Sequence, residues 1–506
     1  MTVTEQIGSG TAALRTRSGS AVAVIIVVAS LGALLSTHPI GKLVAIGALF
    51  LAALMMRVER TIPILVFAYL ALEDFAASPF AGLWTSPVQE AGDFYFATIS
   101  TSVPWIPIPA APMFLVPLVL AARVITGRVG AGMSHEKVPI KTPRVFATAL
   151  VLGGAIVALG VLYGIGTGGD RQQVYYQIFG AVNALCLAAV VGRIGSPALA
   201  QTVWKMVTAI AVYRAGLAIF VHFSFAVDLD EPSPYLTTHA DSILWTLGIV
   251  YVVSNLLEKA DRVSKVLAFV LAPLFLYAIQ VNNRRLAFVM LAAALGYMFW
   301  TLIGVGRERI REGSTYLLPL LGTYLAAGWV SPPSKVFSPV QSLKSVFNGD
   351  DRSSQTRDIE DFNLLFTART TFPLPSGYGK PYIELVVADD ISQFFEQYQY
   401  LPHNTVLGVL TMVGPVGLAL LVAPLVLGAH AAHRVRMVAR EPEIRTQTAM
   451  IVSAWFSFLA FAWGDLGYFT PQPTAIVGIA AGLGVSLHSW YRVHGHQAAA
   501  LAKVTR

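Results

Sequence analysis

Only one of the 506 residues is a cysteine. Cys186 lies inside an apolar run, so no intramolecular disulfide can form, and the fold is not a disulfide framework. Charge is the second scarcity. Asp, Glu, Lys and Arg together make up 12% of the chain, about half of the roughly 25% usual in soluble domains. Two motifs are also missing. The glycine-rich stretch "GVLYGIGTGGDRQ" (Gly160–Gln172) is not followed by Lys-Ser/Thr, which excludes a nucleotide phosphate loop. The two halves show no obvious internal repeat of the kind many carriers carry. The tail "HGHQAAALAKVTR" holds only His494 and His496, too few for a metal site, and reads as a short solvated segment close to lipid.

What fills the chain is apolar: 55% of the residues are hydrophobic. Long apolar stretches recur from Ala21 to Leu487, each near the roughly 20 residues that cross a bilayer. The expectation is an all-α polytopic membrane protein with about 12–14 transmembrane helices. Fourteen spans are expected: 21–36, 40–56, 61–73, 107–125, 145–165, 175–193, 203–226, 241–257, 264–281, 286–305, 315–330, 404–429, 447–464 and 473–490. The first follows Arg15 and Arg17 and reads as a signal anchor. The net charge of +7 is not a nucleic-acid footprint here, because in such a chain the location of charge matters more than its sum.

Location gives orientation. With both termini inside, the cytoplasmic segments collect most of the 35 basic residues, among them Arg123, Arg128, Lys137, Lys141 and Arg144, and Arg434, Arg436, Arg440 and Arg445. Acidic residues show the reverse bias, with Asp228, Asp230 and Glu231 in one outer loop and Glu90 and Asp93 in another. Residues 331–402 then form one large outer loop between the eleventh and twelfth spans. Three regions follow: an N-terminal bundle (1–281), a core with the large loop (282–430), and a cytoplasmic loop with the last two spans and a basic tail (431–506).

A few polar residues stand where lipid or its boundary is expected. "YLPHNTVLGVLTMVGPVGLALL" places His403 and Asn404 directly ahead of a long apolar run. Pro402 suits a helix start, and the freed N–H groups and dipole of that start favour an anion. His403, Leu407, Leu410 and Gly414 would share one face, Asn404 could orient the imidazole, and Pro415 could kink the span. The same residues also fit an interfacial histidine beside a helix cap. Arg214, in "AVYRAGLAIF", lies near mid-span, where an arginine is a functional candidate by default or one half of a structural ion pair. Arg284 and Arg285, in "VNNRRLAF", fit either a working site or snorkelling at the interface.

These stretches resemble the bacterial O-antigen ligase and O-antigen polymerase superfamily. Its signature is a His-Asn pair opening a membrane helix with glycines further along, here His403, Asn404, Gly414 and Gly417. "NNRRLAFVMLAAAL" resembles the arginine-bearing start of the shared region, with Arg284 or Arg285 in that position and Asn283 where serine is usual. "TRDIEDFNLLFTARTTFPLPSGYGKPY" resembles the loop segment of the family, with Arg357, Pro373 or Pro375, Gly377 and Gly379 in the corresponding places. The resemblance covers about 282–421. It implies an enzyme of the bacterial cytoplasmic membrane, active on the outer face, that moves a glycan from undecaprenyl diphosphate to a hydroxyl of a glycan or lipid acceptor with inversion. It implies no metal and no cofactor, His403 as the base, and Arg284 or Arg285, Arg357 and Asn404 about the diphosphate; Arg214, a candidate from its mid-span position, is expected to join them. The family's neutral histidine suits proton removal, and its arginines suit a bidentate grip on phosphate.

Two other classes stay open from the residues. Glu73 and Asp74 in "LEDF", or Asp389 and Asp390, could serve a carboxylate-dependent transferase that uses polyprenyl-phosphate sugars. A lipid-linked glycan flippase is the third reading, and it would need no base.

Overall fold

The computed structural model describes residues 39–72, 87–127, 142–226, 236–259, 261–304, 319, 322–332, 334, 337, 340, 341, 344, 352–387 and 395–504. The expected span 21–36 lies outside these residues, as do Glu73, Asp74, Asp389, Asp390 and parts of 315–330 and 331–402. Among the described residues the chain is helical throughout, with no strand.

The helices are α1 (Pro39–Met55), α2 (Val58–Ala71), α3 (Pro87–Phe96), α4 (Pro112–Ile125), α5 (Arg144–Gly166), α6 (Arg171–Ile194), α7 (Pro197–Val221), α8 (Asp241–Glu258), α9 (Arg262–Val281), α10 (Arg285–Gly304), α11 (Arg352–Thr371), α12 (Thr405–Val438), α13 (Pro442–Gly464) and α14 (Pro471–Val504). Among the described residues, seven stretches are long and apolar enough to cross a membrane: α5, α6, α7 with its π-helical extension to Ala226, α9, α10 to Leu302, α12 and α13. Residues 40–55 and α4 are shorter apolar helices. The starts follow local rules. Asp170, Ser196, Asp261 and Asn404 each accept a backbone N–H of the following turn, and proline opens α4, α7 and α13, where its missing donor costs nothing.

The core runs through α8. Trp245 and Leu244 are fully buried, and most of the helix is inaccessible. It packs against α7, α9, α10 and α13. The expected span 241–257 is therefore an interior helix, whose surface meets protein rather than lipid. By contrast α5 and α9 keep most of their apolar surface exposed, as lipid-facing helices do. Close packing elsewhere uses small residues: a Cβ on Gly484 of α14 would stand 2.1 Å from the carbonyl oxygen of Gly428 in α12. The tail is helical, since α14 continues to Val504.

One feature of α12 positions the site. Gly414 has non-helical angles (φ 72, ψ 176), a left-handed φ that suits glycine, and Pro415 has no N–H for the Thr411 carbonyl. The ladder is broken there. The turn Pro375–Gly379 fills the break: Ser376 N–H donates to Thr411 O (2.9 Å) and Gly377 N–H to Met412 O (3.1 Å). Tyr378 N–H donates to Gly160 O of α5 (3.1 Å), and Gly379 N–H to Gln177 Oε1 of α6 (2.5 Å). Gly377 and Gly379 both have positive φ. The loop that follows α11 is thus pinned into the bundle between α5, α6 and α12.

Candidate active site at the mouth of α12

α12 begins at Thr405, with Asn404 as its N-cap. His403 therefore precedes the helix and does not share a helical face with Leu407 and Leu410. Its partner comes from α11. The His403 backbone N–H donates to Glu360 Oε1 (2.9 Å), and its Nδ1 lies 3.2 Å from Glu360 Oε2. Glu360 is buried, while the imidazole is 26% exposed. A carboxylate only accepts, so the Nδ1 proton points at Glu360 and Nε2 keeps its lone pair. Asn404 does not touch the imidazole. Its amide nitrogen donates to Asp361 Oδ2 (3.2 Å) and its oxygen accepts the Leu407 N–H (3.2 Å). Adjacent residues of α11 thus hold adjacent residues at the mouth of α12.

A second imidazole stands beside the first. His239 Nδ1 lies 2.5 Å from Oδ2 of Asp465, the buried residue that ends α13. Its Nε2 meets the guanidinium of Arg284. That order of partners sets the tautomer: Nδ1–H faces the carboxylate, and the Nε2 lone pair faces the arginine. The segment bearing His239 is anchored by Asn282, fully buried, whose side-chain oxygen accepts the N–H groups of Leu236 (2.8 Å) and Thr237 (3.0 Å). Asn283 turns the chain from α9 to Arg284 with φ 51, a left-handed value that asparagine tolerates.

The charges are coupled. Burial opposes a charged His403, but the Glu360 carboxylate, helped by Asp465, outweighs it and lifts the imidazole above its ordinary range, against a smaller downward pull from Arg357. Burial holds His239 below that range despite Asp465, in keeping with a neutral ring that accepts from Arg284. Burial alone would raise Asp465; His239, His403 and Arg284 more than reverse this and keep it well below the usual carboxylate range. Asp361 is raised to about 6, chiefly by desolvation, with the Asn404 amide opposing and Glu360 adding to the rise.

Of the residues expected from sequence, the structure brings together His403, Asn404, Arg284 and Arg357. Arg285 opens α10 one residue beyond Arg284. Arg214 is fully buried; its Nε donates to Asp241 Oδ1 (2.7 Å) and its Nη2 to Thr238 Oγ1 (3.3 Å). These partners flank His239, so the ion pair braces the segment that presents the second imidazole. Breaking a buried pair from one side costs about 3–5 kcal/mol, whereas apolar replacement of both partners is often neutral. Arg214→Met is expected to lower the melting temperature of the purified protein, and Arg214→Met with Asp241→Leu to restore most of it. A single variant that melts like the wild type would remove the bracing role.

Glu360, Asp361, His239 and Asp465 were not singled out from sequence. Asp465 had a visible signal, a lone acid in "AWGDLGYF" between two apolar runs. Glu360 had none, since "TRDIEDF" reads as a solvated charged face.

The fold and this cluster define an all-helical membrane protein with an ionised polar centre at one end of its bundle. No family model matches the chain, and no curated protein matches it.

Proposed function

We propose that the protein is a membrane glycan transferase of the O-antigen ligase and polymerase kind. It would take a glycan from undecaprenyl diphosphate on the outer face of a bacterial cytoplasmic membrane and pass it to an acceptor hydroxyl. The observation that carries the reading is the pair His403–Glu360, an imidazole with one nitrogen held by a buried carboxylate and the other left to take a proton. Arg284 stands in the same cluster.

In this reading Nε2 of His403 removes the proton of the acceptor hydroxyl. The oxygen attacks the anomeric carbon from the face opposite the diphosphate, the C–O bond to the diphosphate breaks, and undecaprenyl diphosphate leaves with the electron pair. Inversion follows from the single displacement. Arg284, steadied through His239 by Asp465, offers a fixed charge to the leaving group, and Arg357 adds to the positive field. Fixed charge placed where charge develops is usually the largest single contribution to catalysis.

The reading includes 12–14 spans, with the segment that bears α11 on the outer side. A cysteine at Asp358 is expected to react with an impermeant thiol reagent in intact spheroplasts, and one at Glu441 only after lysis. Reversed labelling overturns the orientation. The chemistry is tested with purified protein and a lipid-linked donor: transfer should proceed in EDTA and yield the inverted linkage. Inhibition by EDTA that Mg²⁺ or Mn²⁺ reverses would replace this mechanism with a carboxylate–metal one. In a deletion strain, loss of long chains with single units retained marks a polymerase, and long chains left on the carrier mark a ligase.

A further inference from the structure

α11 has two faces. Glu360, Asn363, Leu364 and Thr367, at spacings of three, four and seven from the first, are buried. Asn363 and Thr367 hold the returning chain: Asn363 Oδ1 accepts the N–H groups of Leu385 and Val386 (both 3.0 Å), and Thr367 Oγ1 accepts that of Ile383 (2.8 Å). The other face carries Phe362 (49% exposed), Leu365 (41%) and Arg369, and leads to Phe372 (77%). Leu374 (59%) follows it. From Phe362 onward the side of α11 away from Glu360 is thus an apolar stripe with one arginine, while Asp358, one turn earlier on the same side, is exposed.

Two neighbouring helices fix the height of the turn beyond this stripe. Ser376 bonds to Thr411, six residues inside α12, and Tyr378 bonds to Gly160, six residues inside the end of α5. At 1.5 Å per residue both place the turn about 9 Å below the ends of those helices. α5 has no charge after Arg144, and around Gly160 it exposes Leu159 (60%) and Leu162 (69%), the surface of a lipid-facing span. Leu374 is two residues from Ser376, at most about 7 Å away, so it stays below the helix ends. The backbone of the turn itself suits that depth. Irregular chain is tolerated in hydrocarbon only where its polar groups are satisfied. The N–H groups of residues 376–379 are all bonded to the bundle, and Pro373 and Pro375 have none to satisfy.

We propose that residues 362–374 seat on and in the leaflet at the His403 end of the bundle. Leu374 and Phe372 enter its hydrocarbon, Leu365 and Phe362 lie along its surface, and Arg369 reaches the phosphates. α11 as a whole is not strongly amphipathic; the seating rests on the four apolar side chains in its C-terminal half and just beyond it and on the depth of the turn, and the basic side chain snorkels as its length allows. The occupant of the stripe is lipid, continuous with the lipid around α5. Because Glu360 and Asp361 sit on the same helix, the seating also sets where the partners of His403 and Asn404 stand.

Spin labelling of the full-length protein tests this. In a Cys186→Ala background, single cysteines at Leu374, Phe372, Leu365 and, as a solvent reference, Asp358 would carry nitroxides in vesicles of phosphatidylethanolamine and phosphatidylglycerol. Collision with oxygen and with a water-soluble nickel chelate is then compared. The labels at 374 and 372 should be relaxed by oxygen and shielded from nickel, the label at 365 should be intermediate, and that at 358 should show the reverse. Nickel access at 374 and 372 overturns the proposal. Shielding from both quenchers also overturns it, because a second copy or another protein would then cover the stripe. All four positions are exposed or near the surface, so labelling leaves the packed faces intact, and an unchanged elution volume confirms each labelled protein.

Discussion

Replacing His403 by alanine is expected to lower glycan transfer by about 10²–10⁴-fold, the usual effect of removing a general base. Insertion into the membrane and binding of the lipid-linked donor should persist. The geometry separates these properties. The imidazole is 26% exposed, so its loss opens little core. The backbone N–H of residue 403 still donates to Glu360 in the variant, which leaves the carboxylate with one of its two partners; losing the other costs about 1–3 kcal/mol, and more where the acceptor is charged. In the proposed reading donor binding rests on Arg284, which His239 and Asp465 hold in place. His403→Gln keeps much of the shape without the basicity and should be equally inactive. The competing role for His403 is a charged donor to a phosphate oxygen. In that case His403→Arg or His403→Lys would retain transfer, and the rate would rise toward acid pH. Transfer by the alanine variant within a few-fold of wild type would remove His403 from the chemistry, and a flippase would then fit the protein better.

Much of the fold was legible because lipid imposes a simple rule. A segment that crosses must be apolar for about 20 residues, and hydropathy reads that directly. Helices occupy the expected spans from 40–56 to 286–305 and from 404–429 onward. The interior position of α8 was not legible: its sequence is as apolar as its neighbours', and burial by protein and burial by lipid leave the same composition. Nor was the re-entry of residues 375–379. Its cause is shared between a broken carbonyl ladder at Gly414–Pro415 and glycines on α5, and these meet only in three dimensions.

The site divides in the same way. His403, Asn404 and Arg284 could be picked out because each is a polar residue at the edge of an apolar run, where loss of solvation makes it costly and therefore informative. Glu360 lies in a stretch of several charges, and nothing local marks which of Asp358, Glu360 and Asp361 turns inward. The selection is made by α11 packing against α12 across 43 residues of chain. Arg214 was visible for the same reason as His403, but its partner, Asp241, was not, so an ion pair and a substrate contact looked alike.

Glu360→Gln should reduce transfer severely and also change its pH dependence in a direction that a purely structural role would not give. The carboxylate accepts from both the His403 backbone N–H and Nδ1. A glutamine has one oxygen and one NH₂. If the oxygen keeps the backbone bond, the NH₂ faces Nδ1, which can accept only after its proton moves to Nε2. The nitrogen needed as base then carries a hydrogen. In the serine-protease triad the corresponding acid-to-amide change lowers kcat by about 10⁴-fold, and a loss approaching that size is expected here. The sign of the pH effect follows from the imidazole's surroundings. Burial lowers its proton affinity, while Glu360 and Asp465 raise it to a net upward displacement. A base works only when deprotonated, so wild-type transfer should fall as pH drops through a point above the ordinary histidine value. Without the Glu360 charge, burial and Arg357 act against Asp465 alone, and the acid limb of whatever activity remains should move to lower pH. Glu360→Asp keeps the charge but shortens the reach, so its limb should stay nearer the wild-type position even if its rate is low. Rate–pH profiles of the three proteins, measured with saturating donor, decide the matter. A Glu360→Gln profile with an unmoved acid limb would show that the group titrating in the reaction is not the imidazole held by Glu360.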